Sequence, residues 1–146
     1  MQSVKGRCLC GGVLFSISSP EICGHCHCSY CRLANGAAFV TWVVSRIATF
    51  EILTGRELVR WYASSEQSQR GFCERCGSSM FFKSVLCPQE IHVTRANLLD
   101  ELKDLPPKFH CFADRKVSWI SINDGVTALA SDSEELAHYH KINPLL

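Results

Sequence analysis

The order of apolar and polar positions along the chain predicts a protein built mainly from short β-strands. Apolar, β-branched and aromatic residues gather in short runs between glycine, proline and polar turn residues, a pattern typical of strands. Such runs occupy residues 12–17, 38–44, 49–53, 58–62, 80–82, 90–94 and 117–120. Gly55 and Arg56 separate two of these runs, and this arrangement predicts a β-hairpin.

Helix signals are scarce. Residues 29–35 predict a short helix that ends at Gly36, and residues 131–139 predict a second one because a serine cap precedes an acidic first turn. Residues 100–107 are charged and end in two prolines, which indicates a surface loop. The chain of 146 residues shows no internal repeat or linker, so we expect one domain over residues 1–146.

Composition and charge narrow the function classes. Apolar residues make up 47% of the chain and charged residues 20%, as in an ordinary globular protein. The formal net charge is +1 and there is no basic tract, so we expect no nucleic-acid partner. No apolar run is long enough for a membrane helix, and we therefore expect no membrane association.

The ten cysteines change this picture. The first residues contain no apolar leader, which predicts a cytoplasmic protein whose thiols stay reduced. In that setting, closely spaced cysteines indicate metal binding or catalysis. Disulfides are the alternative if the sequence is a fragment from which a leader was trimmed.

Seven cysteines fall into three clusters. Zinc prefers four tetrahedral ligands, and thiolate sulfur suits it well. A Cys-x-x-Cys turn lets two sulfurs converge on one ion, and a Cys-x-Cys pair on extended chain directs both side chains to one face. Gly77, directly after the last cluster, suits a tight metal-binding turn. The clusters are Cys8 and Cys10, then Cys26, Cys28 and Cys31, then Cys73 and Cys76.

Ligand counting suggests how the clusters combine. The last cluster supplies two ligands and needs a partner pair, which Cys8 and Cys10 could donate to form a closed structural site. The middle cluster then has three ligands and an open position, as in catalytic zinc sites.

Spacing alone leaves other combinations open. Cys26 and Cys28 could instead pair with the last cluster. Alternatively, both sites could be structural, with Cys23, His25 or His27 as the fourth ligand of the second. We expect His27 to face away from the cysteines that flank it if this stretch is extended.

The motifs together resemble a known family. Residues 6–11 are similar to its GxCxCG opening, residues 26–32 to its CHCxxCR motif, and residues 70–78 to RxFCxxCGS. Pro107, His110 and Trp119 match its C-terminal marks, so the resemblance covers most of the chain. On these residues the chain is identified as a member of the glutathione-dependent formaldehyde-activating enzyme family, which includes the related domain of centromere protein V.

The resemblance implies a fold, two metals and a reaction. The implied fold is mainly β, a β-tent of packed antiparallel sheets with little helix. The implied reaction joins glutathione, or another small thiol, to formaldehyde in the manner of a carbon–sulfur lyase. Arg32, Arg70 and Arg95 are candidate partners for the glutathione carboxylates. Two zinc ions are implied, a structural one on Cys8, Cys10, Cys73 and Cys76, and a more labile one on the catalytic residues Cys26, Cys28 and Cys31.

Other interpretations remain for the chain and for residues outside the motifs. A zinc module of the same fold that binds a protein without catalysis is the main alternative. Cys23 is a candidate resolving thiol, which would suit redox sensing, and Cys111 is expected to pack in the core. His110 could move protons or satisfy a core hydrogen bond. The three tryptophans, Trp42, Trp61 and Trp119, are expected in the core.

Overall fold

The structure, a computed structural model, describes residues 3–142 of the chain and the side chains of residues 3–139. Short strands dominate this range, and the mainly β class predicted from the sequence is confirmed. The strands are β1 (Ser3–Arg7), β2 (Leu14–Ser18), β3 (Ile22–Cys26), β4 (Val40–Arg46), β5 (Glu51–Thr54), β6 (Val59–Ala63), β7 (Ser68–Cys73), β8 (Ser79–Ser84), β9 (Glu90–Thr94), β10 (Phe109–Cys111) and β11 (Thr127–Leu129). The α-helices are α1 (Ser29–Asn35) and α2 (Ala137–Ile142).

The strands form two sheets. A three-stranded sheet has the order β1-β2-β5, and an eight-stranded sheet has the order β11-β10-β3-β4-β9-β8-β7-β6. The large sheet is antiparallel from β3 to β6, but β10 pairs in parallel with both β3 and β11. The expected arrangement of antiparallel sheets therefore holds except at this edge, where the sheet is mixed.

Aromatic and aliphatic side chains join the two sheets. Phe15 from the small sheet meets Phe81 from the large one edge to face, with ring centroids 4.8 Å apart. Both rings are fully buried, as are Ile17, Val43 and Val93. Burying one such side chain stabilises the fold by about 1.5–3 kcal/mol, so this layer holds the sheets against each other.

The predicted hairpin at Gly55 is wrong. β5 pairs with β2 in the small sheet, whereas β6 pairs with β7 in the large sheet. Gly55 has a φ of 74° and approaches Gly12 so closely that a Cβ atom there would lie 2.0 Å from the Gly12 carbonyl oxygen. The glycine therefore allows the chain to change sheets, which its local sequence does not distinguish from a hairpin turn.

The strand predicted at 117–120 is also wrong. This segment is a turn in which the Lys116 ammonium donates to the Ile120 carbonyl at 2.8 Å. Trp119 is 72% exposed, contrary to the expected core position. Trp42 is buried as expected, and Trp61 is half-buried with its ring stacked on Phe81.

The predicted helices form, with one shift. α1 matches residues 29–35 and ends at Gly36, whose φ is 58°. At the C-terminal end, Glu134–Leu136 forms a 3₁₀ turn before α2 begins at Ala137, so the helix starts later than predicted. Residues 100–107 contain bends, turns and irregular chain, as expected for a surface loop. No helix within residues 3–142 has the length and apolarity needed to cross a membrane.

Candidate metal centres

The first cysteine group combines the first and the last of the three cysteine clusters in the sequence. The ligand atoms of Cys8, Cys10, Cys73 and Cys76 all lie within 4.8 Å of one another. The Sγ–Sγ distance is 3.5 Å between Cys8 and Cys10 and 3.9 Å between Cys10 and Cys73. A tetrahedral zinc with bonds near 2.3 Å separates its sulfurs by about 3.8 Å, so this donor set fits zinc.

A tight turn presents the first pair of this group. The backbone N–H of Gly11 donates to the Cys8 carbonyl, and the Cys8 N–H donates to the Val13 carbonyl, both at 3.1 Å. Cys8 and Cys10 therefore lie in a turn after β1 rather than on the extended chain that we expected. The turn brings the two sulfurs together because its backbone hydrogen bonds hold the chain folded back on itself.

The second pair, Cys73 and Cys76, lies on the tight metal-binding turn predicted before Gly77, named the knuckle here (residues 73–77). The N–H of Gly77 donates to the Cys73 carbonyl at 2.7 Å, and Gly77 has a φ of 77°, which favours glycine. The Ser78 hydroxyl accepts a bond from the Leu9 N–H at 2.8 Å and therefore ties the knuckle to the first turn. Because β1 belongs to the small sheet and β7 to the large one, a metal held here would join both sheets.

Hydrogen bonds favour the thiolate form of two members of this group, Cys8 and Cys76, whereas burial raises the pKa of Cys73 to about 11. The Ser78 hydroxyl lies 3.3 Å from the Cys76 Sγ and is the largest cause that lowers the pKa of Cys76 to about 5. Burial opposes ionisation of Cys8, but the Val13 N–H, which donates to its Sγ at 3.2 Å, and two of the three neighbouring thiols lower the pKa of Cys8. Metal ligation requires deprotonated cysteines, so these contacts suit a metal.

The second cysteine group lies where β3 meets α1. Cys26 ends the strand, Cys28 caps the helix, and Cys31 lies in its first turn, with their ligand atoms within 4.8 Å of one another. Cys26 and Cys28 are therefore placed with Cys31 and not with the knuckle. Among the described residues this group contains three cysteines and no fourth ligand.

Cys31 is the cysteine of this second group whose surroundings favour ionisation, whereas neighbouring thiols and burial raise the pKa values of Cys26 and Cys28. The thiols of Cys26 and Cys28 lower the pKa of Cys31 most, and the Arg70 guanidinium and the Trp42 ring N–H lower it further. The Trp42 Nε1 lies 3.4 Å from the Cys31 Sγ, and the two terminal nitrogens of Arg70 lie at 3.8 and 3.9 Å. The sequence could not reveal these donors because both come from distant strands.

The candidates for a fourth ligand lie elsewhere. Cys23 is fully buried, and its Sγ accepts a bond from the Arg95 guanidinium at 3.1 Å. His27 faces away from the flanking cysteines, as predicted, and its Nε2 lies 2.9 Å from the His110 Nδ1. All ten cysteines fall within the described residues and are free thiols, so the disulfide alternative is wrong.

A cavity of about 580 Å³ opens beside the second group. Its walls are mainly apolar and include Trp42, Phe82, Phe112 and Leu136, while Cys111, expected to be a core residue, also lines it. Of the three arginines expected near glutathione, Arg70 alone is part of this wall. Arg32 instead donates to the His27 carbonyl, and Arg95 donates to the carbonyls of Glu101, Leu102 and Leu105.

Comparisons with known proteins agree with this geometry. A family model described as "Glutathione-dependent formaldehyde-activating enzyme" matches residues 3–115. A Halomonas elongata protein named "Putative glutathione-dependent formaldehyde-activating enzyme" is 26% identical over 126 residues, covering 82% of this chain and 80% of that protein.

Two further proteins are similar to parts of the chain. A Schizosaccharomyces pombe protein named "Uncharacterized lyase" is 30% identical over 84 residues, covering 56% of this chain and 58% of its own length. A crystal structure of a Rhodobacter sphaeroides protein has a TM-score of 0.55 and 25% identity, and the match covers 70% of this chain and 91% of that one.

Proposed function

The chain belongs to the glutathione-dependent formaldehyde-activating enzyme family, and we propose that it joins a small thiol to an aldehyde, or reverses that reaction, at a zinc held by Cys26, Cys28 and Cys31. In the forward direction the thiol sulfur adds to the carbonyl carbon and the carbonyl oxygen gains a proton. The observation that carries the proposal is a group of three cysteines beside a cavity of small-molecule size.

The two cysteine groups have different roles in this proposal. Cys8, Cys10, Cys73 and Cys76 hold a structural zinc, because four ligands leave no position for a substrate. The three-cysteine group holds the second ion and leaves one position free. When bound at this open group, zinc lowers the pKa of a thiol and supplies a thiolate nucleophile at neutral pH.

The chain's own residues prepare the open group. Arg70, 5% exposed, holds a positive charge against Cys31 and favours the thiolate form that binds metal. Trp42 donates from its ring N–H to the same sulfur and also walls the cavity. Leu136, from the C-terminal segment, is buried against the group and limits water on that side.

The charged side chains that line the cavity bear on which substrate thiol it can accept. Apart from histidines, the side chains charged at neutral pH among its lining residues are one cation, Arg70, and three carboxylates, those of Glu21, Glu90 and Glu135. Glutathione carries two carboxylates that require cationic or N–H donors, and the terminal nitrogens of Arg70 are directed at Cys31. The proposed substrate class is therefore not limited to glutathione and includes other small thiols, in adduct with an aldehyde.

An assay with three thiols tests the proposal. Zinc-loaded protein is mixed with formaldehyde and with glutathione, neutral 2-mercaptoethanol or cationic cysteamine, and adduct formation is followed by NMR. We expect catalysis with at least one thiol. Loss of a residue that only orients a metal ligand costs about 10- to 100-fold in activity. Because Cys28 is itself a proposed ligand, the rate of adduct formation in Cys28→Ser should fall by more than that factor.

Cys87→Ser is the matched control because Cys87 belongs to neither metal group. It should retain the wild-type rate. Full activity in Cys28→Ser, or no catalysis with any of the three thiols, would overturn the enzymatic proposal and favour a binding module.

A further inference from the structure

We propose that His25, His110 and Asp124 form a third metal site, for a divalent transition metal, on the opposite face of the large sheet from the open cysteine group. Their candidate ligand atoms all lie within 4.8 Å of one another. The site is independent of the proposed thiol chemistry and shares no ligand with it.

Strand pairing brings the two histidines together. β10 runs parallel to β3, and His110 stands opposite His25 in the register. Their ring centroids are 4.6 Å apart. Asp124, in the loop before β11, places its Oδ2 2.9 Å from the His110 Nε2. Two strands and one loop therefore each supply one potential ligand.

Side-chain alternation separates this site from the cysteines. Neighbouring residues of a strand point to opposite faces of a sheet, so His25 and Cys26 face opposite ways. The same holds for His110 and Cys111, and Cys111 stands opposite Cys26 in the register. The cysteine face and the histidine face are thus two distinct chemical environments on the same pair of strands.

Each of the two imidazoles is hydrogen-bonded through its Nδ1, the nitrogen that the proposed metal would not use. The Nδ1 of His25 lies 2.8 Å from the Thr41 hydroxyl, and the Nδ1 of His110 lies 2.9 Å from the His27 Nε2. The Val126 N–H fixes the Asp124 Oδ1 at 3.1 Å. Histidine ligands are typically held in this way, by a partner on the other ring nitrogen, which leaves each Nε2 for the metal.

A hydrogen-bond chain from Asp124 through His110 to His27 is the simplest alternative. It satisfies both nitrogens of His110 but has no role for His25, whose ring lies over His110 and whose Nδ1 is held by Thr41. A metal uses all three groups. Two imidazoles and a carboxylate suit zinc, iron, cobalt or nickel, and the exposed Asp124 provides an entry path.

Cobalt titration of protein whose cysteine groups are loaded with zinc tests the site. Native mass spectrometry counts the ions, and absorption spectra report the ligand type, because cobalt on thiolates gives strong charge-transfer bands that nitrogen and oxygen ligands lack. We expect one cobalt ion to bind without those bands and without loss of zinc.

Three variants separate this site from chance binding. Asp124→Asn keeps an acceptor for the Val126 N–H and should weaken cobalt binding at least about 10-fold, and Thr41→Val, which frees the His25 ring, should weaken it about 10-fold. Asp104→Asn, at an exposed position outside the cluster, is the charge control and should not change affinity. No cobalt beyond the cysteine groups, or equal affinity in Asp124→Asn and wild type, would overturn the proposal.

Discussion

The two terminal nitrogens of Arg70 lie 3.8 and 3.9 Å from the Sγ of Cys31, although the residues are 39 positions apart in the chain. Arg70 lies on β7, and the same strand ends at Cys73, a member of the four-cysteine group. One strand therefore carries the cation of the open group and a ligand of the closed one. A shift of β7 at the proposed structural zinc would therefore also move the Arg70 guanidinium.

Arg70→Lys should lower kcat/KM by about 10- to 100-fold. A hydrogen bond to a charged group is worth about 1.5–3 kcal/mol, and lysine cannot reproduce the two-nitrogen contact with the Cys31 sulfur. Steady-state kinetics with the thiol that the wild type prefers measure the loss. Arg56→Lys, at an exposed position in the 3₁₀ turn Arg56–Leu58, is the control and should match the wild type. Equal loss in both variants would contradict a specific role for Arg70.

Cys10→Ser should remove one zinc and destabilise the fold. The first group joins the two sheets, so its loss should lower the midpoint of thermal unfolding by about 10 °C, equivalent to about 3 kcal/mol. Cys28→Ser should also lose one zinc but lower the midpoint much less, because its group lies at the end of a single sheet. Calorimetry with zinc analysis measures both quantities. Equal destabilisation by the two variants would argue against the division into structural and open sites.

Gly55→Ala should destabilise the protein by about 3 kcal/mol or more. The left-handed backbone costs about 1–2 kcal/mol for a residue with a side chain, and the new Cβ would overlap the Gly12 carbonyl oxygen. Gly36→Ala is the matched control, since its φ is 58° but no atom lies within 4 Å of the added Cβ. The Gly36→Ala substitution should cost only the about 1–2 kcal/mol of the left-handed backbone. Urea denaturation compares the two, and similar losses would show that the close approach to Gly12 is not limiting.

The imidazole of His27 should stay neutral at pH values well below the usual pKa of histidine. Burial is the main cause that lowers the pKa of His27 to about 4, compared with 6.5 for the free imidazole. As the pH falls from 6.5 towards 4, the unfolded chain binds a proton that the folded protein does not, so His27 makes the fold less stable. NMR of histidine-labelled protein, assigned with His27→Gln, measures the titration. A midpoint near 6.5 would contradict the buried environment.

The local features of the site could be predicted from the sequence. Cys26, Cys28 and Cys31 lie together because their spacing fits a strand end followed by a helix turn. Counting ligands suggests the grouping of Cys8 and Cys10 with the knuckle, since two cysteines cannot satisfy zinc alone, but it leaves open the pairing of Cys26 and Cys28 with the knuckle. The turn at Gly77 was also correctly predicted, because its requirement for glycine is local.

Features that depend on long-range pairing could not be predicted. Whether Gly55 closes a hairpin or lets the chain change sheets depends on Gly12, far away in the sequence. The neighbourhood of His25 and His110 depends on the parallel pairing of β10, a strand of three residues that carries no clear strand signal. The contact of Arg70 with Cys31 likewise requires the register of the large sheet.

Native mass spectrometry of the zinc-loaded protein, with and without reduced glutathione, tests the central claim most directly. We predict a species bound to glutathione, or to 2-mercaptoethanol or cysteamine where one of these replaces it, for the wild type and for Cys87→Ser. Both that species and one zinc should be lost in Cys28→Ser. Undiminished glutathione binding by Cys28→Ser, or a wild type that binds neither glutathione nor a smaller thiol at this group, would contradict an open, thiol-accepting zinc site.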